Sequence, residues 1–504
     1  MSDSSSPAPS PSPVSTDYGY GFDSEGDMRR GRRERPDRIS PLPDEILLQI
    51  LSLLPMQDVL KTDVLSKRWQ YLWTSVPSIR FSSSYFEDSR SFVDAVNKTL
   101  VPAGCACTRK FAVEFLNYAE EFEADVSLWV RFAAKNKVEE LTLDLGHDYW
   151  SYNSSLYCLP EHMYVNSLLT ELSFSKCDLE PGYFAWDSLK SLSIGCIQLE
   201  ELVLRNILSG SPRLEFLELR DFYGINRVNI SNPSVKKLVI NGYEFRYDNE
   251  DDEEGVDDQV YSTLEISGPN LHSLSILGSL KNTKCRVTNV ASLVEANLNF
   301  DIVNRRTADD EYEESQNIVR RLFQSLGGVH SLTIGTWCIK VLSTFDLEHV
   351  APPWLRSKKR KLLTIDTGYD KWELPGIASL LDHSFCLETL VININPSFAG
   401  QPHIGARFPD FRNSDEGRYW EIQERVFWCL LRHLKTVKVN QLVYRGRCGA
   451  KFLHFLLGKA RYLEKMTVNP PKQNSWDNLF RAAQKLLSAP RSSPKAVVVF
   501  NERR

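Results

Sequence analysis

Residues 196–221 read CIQLEELVLRNILSGSPRLEFLELRD. Two spacings meet in that stretch. In IQLEELVLRNILSG the apolar residues recur every three or four positions, as on a helix with one buried face. In LEFLEL (Leu214, Leu217, Leu219) the order is apolar, two residues, apolar, one residue, apolar, the order of a short strand. A strand and return helix of this size cannot bury their apolar edges alone, so the unit requires neighbours of its own kind.

The neighbours are present. The same order appears as VEELTL (from Val138), LTELSF (Leu169), LKSLSI (Leu189), VKKLVI (Val235) and LHSLSI (Leu271). Later copies are VHSLTI (Val329), LETLVI (Leu387), LKTVKV (Leu434) and LEKMTV (Leu463). Starts of the first six copies lie roughly 20 to 36 residues apart, at or just beyond the range of leucine-rich repeats. Stacked copies predict a parallel sheet over a continuous core, with return helices outside. QNIVRRLFQSLG is one such helix, with Ile318, Val319, Leu322, Phe323 and Leu326 as its buried stripe. The Asn or Cys expected after the strand is mostly missing, LTELSFSKCDL with Cys177 being the clean exception, which predicts an irregular solenoid. Functional information is expected on the variable residues between the leucines.

Toward the C-terminus, LKTVKV and LEKMTV flank a helix studded by Phe452, Leu453, Phe455, Leu456 and Leu457, with Gly458 near its end. Toward the N-terminus lies DRISPLPDEILLQILSLLPMQDVLKTDVLSKRWQYLW, residues 37–73. Pro43 suits a first helical turn, and Asp44 and Glu45 face the positive helix end. Ile46, Leu47, Ile50, Leu51 and Leu54 form a wide stripe that Pro55 closes. Asp58 to Val64 predict a second helix, and Ser66 an N-cap for a third bearing Trp69, Leu72 and Trp73. Three helices in so few residues cannot bury all these side chains among themselves. The surplus meets either another protein or the rest of this chain.

A chain of 504 residues with 42% hydrophobic and 25% charged residues is globular and built of several modules. Its net charge of −5 argues against nucleic-acid binding over the whole chain. The Ser/Pro-rich start has no charged-then-apolar leader, and no apolar run reaches membrane-spanning length. Ten scattered cysteines then read as reduced thiols of the cytoplasm or nucleus. The basic runs Arg29–Arg38 and Arg356–Lys361, and the acidic run Asp248–Asp258, read as solvated tail and loops rather than binding patches. Phosphate loops, zinc-protease and nucleophile-elbow motifs are missing. Cys105 and Cys107 lack a second ligand pair, and His272 and His330 sit beside strands where exposure is expected. Cys448, in RGRCGAK, is the only thiol in a basic setting. No catalytic, metal or cofactor residues are expected.

Residues 37–81 resemble a plant-type F-box, through LPDEIL (Leu42 to Leu47), the Leu54, Pro55, Asp58, Val59 turn and LSKRWQYLW (Leu65 to Trp73). The middle resembles plant F-box proteins with leucine-rich repeats. CLLRHLKTVKV and LLGKARYLEKMTV resemble the FBD domain of the same family, although RGRCGAKF stands where that domain usually carries acidic residues. The resemblance implies an α/β chain: a tail (1–36), a three-helix F-box (37–81) and a linker opening the solenoid (82–137). Degenerate repeats (138–395), an α/β FBD-like domain (396–475) and a closing tail (476–504) follow. It also implies a non-catalytic substrate receptor of a Skp–cullin–F-box ubiquitin ligase, with neither nucleic acid nor membrane as partner. Leu42, Pro43, Ile46, Leu47, Ile50, Leu65 and Trp69 would lie at or just beneath the Skp interface, and the repeats would hold a target protein. Two other roles fit the same architecture: an adaptor-bound scaffold without a part in degradation, and a receptor whose target surface a small molecule completes.

Overall fold

A computed structural model describes residues 39–100 apart from Ser40, Gln70 and Tyr71, then 108–146, 156–245, 262–303, 310–345 and 352–395. It further describes 419–441 apart from Ile422 and Glu424, 448–470, and 483–501 apart from Lys485. The tail 1–36, the acidic run 248–258, Cys105 and Cys107 lie outside the described residues. The chain forms two units, up to Leu47 and from Leu48 onward.

The second unit is organised on one 15-stranded parallel sheet in which each strand lies beside the next in chain order. Its strands are Ser78–Ser82, Lys110–Glu114, Glu140–Asp144, Glu171–Ser175, Ser191–Gly195, Phe216–Phe222, Lys237–Glu244 and Ser273–Lys281. Glu295–Val303, Ser331–Ile334, Leu362–Thr367, Thr389–Ile394, Thr436–Asn440, Lys465–Asn469 and Val497–Phe500 complete it. All ten copies of the motif end in strands of this sheet. The register aligns like with like: Leu172 opposite Leu192, Leu192 opposite Leu217, Leu217 opposite Leu238 and Leu238 opposite Leu274. Every one of these leucines is buried, so the core is a column of stacked side chains rather than a ball.

Return segments cover the buried side. Helix Glu201–Gly210 buries Val203, Leu204, Ile207 and Leu208. In Asp310–Ser325 the stripe expected from sequence, Ile318 to Phe323 with Leu326 just beyond, is buried. Helices Ser89–Leu100 and Glu123–Lys135 pack together, and Trp129 Nε1 donates to Asn97 Oδ1 at 2.8 Å while Asn97 Nδ2 donates to Asp125 Oδ1 at 2.7 Å. Two small parallel sheets stand beside the main one. Thr283–Thr288, Ser262–Ser267 and Arg227–Asn229 form the first, and Tyr157–Cys158 with Cys177–Asp178 the second.

Five strands have no counterpart among the ten copies. The motif is present in four of them, intact in VPSIRF at 76–81 and with one position exchanged in TRKFAV at 108–113, LVEANL at 293–298 and RKLLTI at 360–365. The last corrects the reading of Arg356–Lys361 as solvated. Arg360 takes the place of the first leucine and is 2% exposed, its Nη1 donating to Ser384 Oγ at 2.8 Å and its guanidinium lying over the Phe323 ring. Burial pushes its pKa down to about 10. Lys361 meets Glu388 at 3.2 Å, and Lys358 and Lys359 are exposed.

Candidate functional site

In the first unit the chain turns at Ile39–Leu42, with Leu42 N donating to Ile39 O at 3.0 Å. Pro43 then opens helix Asp44–Ser52, accepting from Ile46 N and Leu47 N, and two acidic side chains occupy the first turn. Leu47 is wholly buried and Leu42 half-buried, whereas Pro43, Ile46 and Ile39 are exposed.

In the second unit Leu51, Met56 and Val59 are buried. Helix Met56–Lys61 packs on the first strand, Ser78–Ser82, and Gln57 Nε2 donates to Ser82 O at 3.5 Å. A 3₁₀ turn, Thr62–Val64, extends that helix. The third helix expected from Ser66 is instead a series of tight turns: Trp69 N donates to Ser66 O, Leu72 N to Trp69 O, and a 3₁₀ turn spans Leu72–Ser75. Those i to i+3 bonds suit a stretch that turns two bulky indoles, Trp69 and Trp73, inward within a few residues. The Asp63 carboxyl approaches the Trp73 indole without hydrogen-bond geometry, and burial raises its pKa against the lowering pull of that indole.

Large apolar side chains remain outside this packing. Leu53 is 84% exposed, Val64 87% and Leu65 63%, and Ile50 and Leu54 are exposed as well. Of the residues expected at the adaptor surface, Pro43, Ile46, Ile50 and Leu65 are thus exposed, Leu42 is half-buried, and Leu47 and Trp69 serve the chain's own core. Leu53 and Val64 escaped the sequence reading because each closes a short helical segment, one step outside the stripe.

The solvent-turned side of the sheet is the second surface. Alternation puts the residue that follows each strand's last apolar position on this side. Those positions bond in series. Asn501 Nδ2 donates to Asn469 Oδ1 (2.7 Å), Asn469 to Asn440 (2.6 Å), Asn440 to Asn393 (2.6 Å), and Asn393 to Asp366 Oδ1 (2.6 Å). Asn299 Nδ2 reaches Asp366 Oδ2 at 3.0 Å from the other direction, passing the intervening strand at Gly335. A Cβ on Gly335 would stand 2.1 Å from Asn299 Oδ1, so only glycine leaves room for that crossing. Burial raises the Asp366 pKa while the Asn393 bond lowers it. Farther back, Ser175 Oγ donates to Asp144 Oδ1 (2.5 Å), Ser193 Oγ to Glu218 Oε2 (2.6 Å), and Arg220 stands 3.8 Å from Glu218. Sequence carried a signal for the amide row: LVIN, VKVN, MTVN and VVVFN each place Asn directly after the motif's last apolar residue, two residues earlier than the offset sought.

Among the described residues no group of His, Cys, Asp and Glu is arranged to hold a metal, and no helix is long and apolar enough to cross a membrane. The seven described cysteines are free thiols, and burial pushes Cys196 up to about 11 and Cys285 and Cys429 up to about 12. Such thiols stay protonated and are poor nucleophiles. His272 and His330 are exposed. The most perturbed carboxyl, Glu373, is sealed in the core, where burial and then Asp370 push its pKa up to about 7. Its Oε2 accepts from Thr367 Oγ1 (2.8 Å) and Asp370 N (3.0 Å), and Asp370 pairs with buried Lys340 at 3.3 Å. These groups tie a loop to a helix.

Comparison with known proteins finds three modules. Residues 39–81 match the F-box domain, 126–259 the leucine-rich repeats of the FBD-associated F-box protein At5g56370, and 423–468 the FBD. The chain is 29% identical over 439 residues to the F-box/LRR-repeat protein At5g02910 of Arabidopsis thaliana, covering 86% of this chain and 88% of that one. It is 28% identical over 451 residues to the putative F-box/LRR-repeat protein At3g18150 of the same plant, covering 87% and 88%. The chain thus carries an F-box, leucine-rich repeats and an FBD in that order, and it is similar over most of its length to F-box/LRR-repeat proteins of Arabidopsis thaliana.

Proposed function

We propose that the chain is a non-catalytic substrate-recognition subunit of a Skp–cullin–F-box ubiquitin ligase. The F-box docks on the Skp adaptor, and through it on a cullin, while the solvent side of the sheet holds a target protein. Leu42, Pro43, Ile46, Ile50 and Leu65 make the adaptor surface, with Leu47 and Trp69 supporting it from within. The carrying observation is the cluster of large apolar side chains left exposed in the F-box, Ile50, Leu53, Leu54, Val64 and Leu65, beside repeats whose motif leucines are buried. Exposed clusters of this kind mark protein-binding surfaces. Ubiquitination then proceeds by proximity, since a tethered target meets the conjugating enzyme at high effective concentration. The work takes place in the cytoplasm or nucleus.

The test is binding of a purified plant Skp adaptor to the full chain and to Ile50→Ser/Leu65→Ser. Both side chains are exposed, so the thermal midpoint should hold while affinity falls at least tenfold, each apolar anchor being worth roughly 1–2 kcal/mol. A wild-type chain that does not bind, or a variant that binds equally well, would remove the proposal.

A further inference from the structure

The three-stranded side sheet carries a cleft that adaptor docking and the main sheet leave unused. Helix Asp310–Ser325 packs on its edge strand, Thr283–Thr288, and Ser325 Oγ donates to Val287 O at 2.7 Å. Between them lies a cavity of about 310 Å³ lined by Arg286, Val287, Thr288, Arg321, Gln324 and Ser325. Arg286 comes from the strand and Arg321 from the helix, and both also line two adjoining cavities of about 410 and 460 Å³.

The charges around this cleft are distributed unevenly. Lys284 is paired with Glu314, and Arg227 stands 3.8 Å from Glu265. Glu265 also accepts from Thr288 Oγ1 at 3.3 Å. Arg286 and Arg321 have no carboxylate partner among the described residues, and the cavity between them contains no acidic group. Two planar guanidiniums, each able to give two parallel N–H bonds, line this cavity together with one amide side chain and no carboxylate. Carboxylates return on both flanks, Glu313 in one adjoining cavity and Glu201 with Glu265 in the other. A polyanion would meet those flanks with repulsion, whereas one doubly charged group with basic neighbours would be complementary to centre and flanks alike.

We propose that the Arg286–Arg321 cleft binds a phosphorylated serine or threonine of a partner protein whose neighbouring residues are basic. The guanidiniums bind the phosphate oxygens, Gln324 adds an amide donor, and the flanking carboxylates select arginine or lysine beside the phosphorylated residue. The site stands whether or not the F-box engages its adaptor.

The test uses the full chain and fluorescent peptide libraries with arginine on both sides of phosphoserine or phosphothreonine, other positions degenerate. Anisotropy titrations are run against the unphosphorylated libraries, with myo-inositol hexakisphosphate as polyanion competitor. Arg286→Gln/Arg321→Gln is compared with Lys358→Gln/Lys359→Gln, which removes two exposed charges elsewhere. The expected result is binding that needs the phosphate, falls at least tenfold in the arginine variant and stays within twofold in the lysine variant, both variants keeping the wild-type melting midpoint. Replacing the flanking arginines by glutamates should abolish it. Absence of phosphate-dependent binding, equal losses in both variants, or displacement by inositol hexakisphosphate at concentrations below the peptide's own dissociation constant would each overturn the assignment.

Discussion

The F-box segment and the strand Thr389–Ile394 carry leucine and isoleucine at comparably regular spacing, yet the two regions dispose of them oppositely. In the strand, Leu390 and Ile392 are buried, held in register between Leu363 and Ile365 on one side and Val437 and Val439 on the other. In the F-box, Ile50, Leu53, Val64 and Leu65 remain exposed although Leu51, Met56 and Val59 beside them are buried. Periodicity therefore reports that a face is to be covered and is silent on who covers it. A repeat supplies its own cover because the next copy has the same shape. The F-box has no second copy, so the apolar side chains that its own packing does not cover stay exposed.

That contrast is broken most easily in the ladder. Leu390→Ala opens a cavity in a column with no slack, at a cost of about 3 kcal/mol, and the neighbouring strands share the loss because their stability is coupled through the interface. A urea midpoint within experimental error of the wild type would mean the column is not continuous there. The next effect in size is set by pH. Glu373 has a folded pKa of about 7 against an ordinary 4.5, so the folded state holds its proton longer than the unfolded chain. Stability is thus full below about pH 4.5, falls as pH rises toward 7, and stays reduced above it, by at most about 3 kcal/mol. Glu373→Gln keeps an oxygen to accept from Thr367 and Asp370 N and removes the charge. Denaturation at pH 8 should find the variant more stable than the wild type by about 2 kcal/mol, and at pH 4.5 equal to it. An unchanged difference across that range would mean the carboxyl ionises freely.

Ten strands were legible because leucine, isoleucine or valine, with Phe174 and Met466, filled the motif. Three more were hidden by single exchanges, Thr108 and Arg360 standing at the first apolar position and Ala296 at the second, and a fourth, VPSIRF, carries the motif intact inside the stretch that reads as F-box. A buried arginine is the least expected of these, since charge is costly to desolvate. Arg360 is tolerated through one serine, an aromatic face and a lowered pKa, and its Nε finds no partner. Among the residues expected at the adaptor surface, sequence could not separate buried from exposed, since Leu47 and Ile46 are adjacent in the same stripe and only packing makes one core and the other surface. The paired guanidiniums of Arg286 and Arg321 were invisible, because 35 positions separate them and only the side sheet brings them together.

The smallest effect on folding is the sharpest probe of the comparison. Leu53 and Leu390 are the same residue type, 84% and 0% exposed. An exposed leucine contributes almost nothing to the folded chain, so Leu53→Ser should move stability by no more than about 0.5 kcal/mol, within the ordinary range for surface changes. The same substitution should weaken Skp binding if Leu53 belongs to the docking surface, because a leucine buried at an interface and replaced by a hydroxyl loses both apolar transfer and packing. Stability and affinity thus separate at Leu53 and move together at Leu390, where any loss of binding must follow loss of fold. A Leu53→Ser chain that unfolds early would place this residue in the chain's own core, and the surplus apolar surface of the F-box would shrink by its most exposed helix-end leucine.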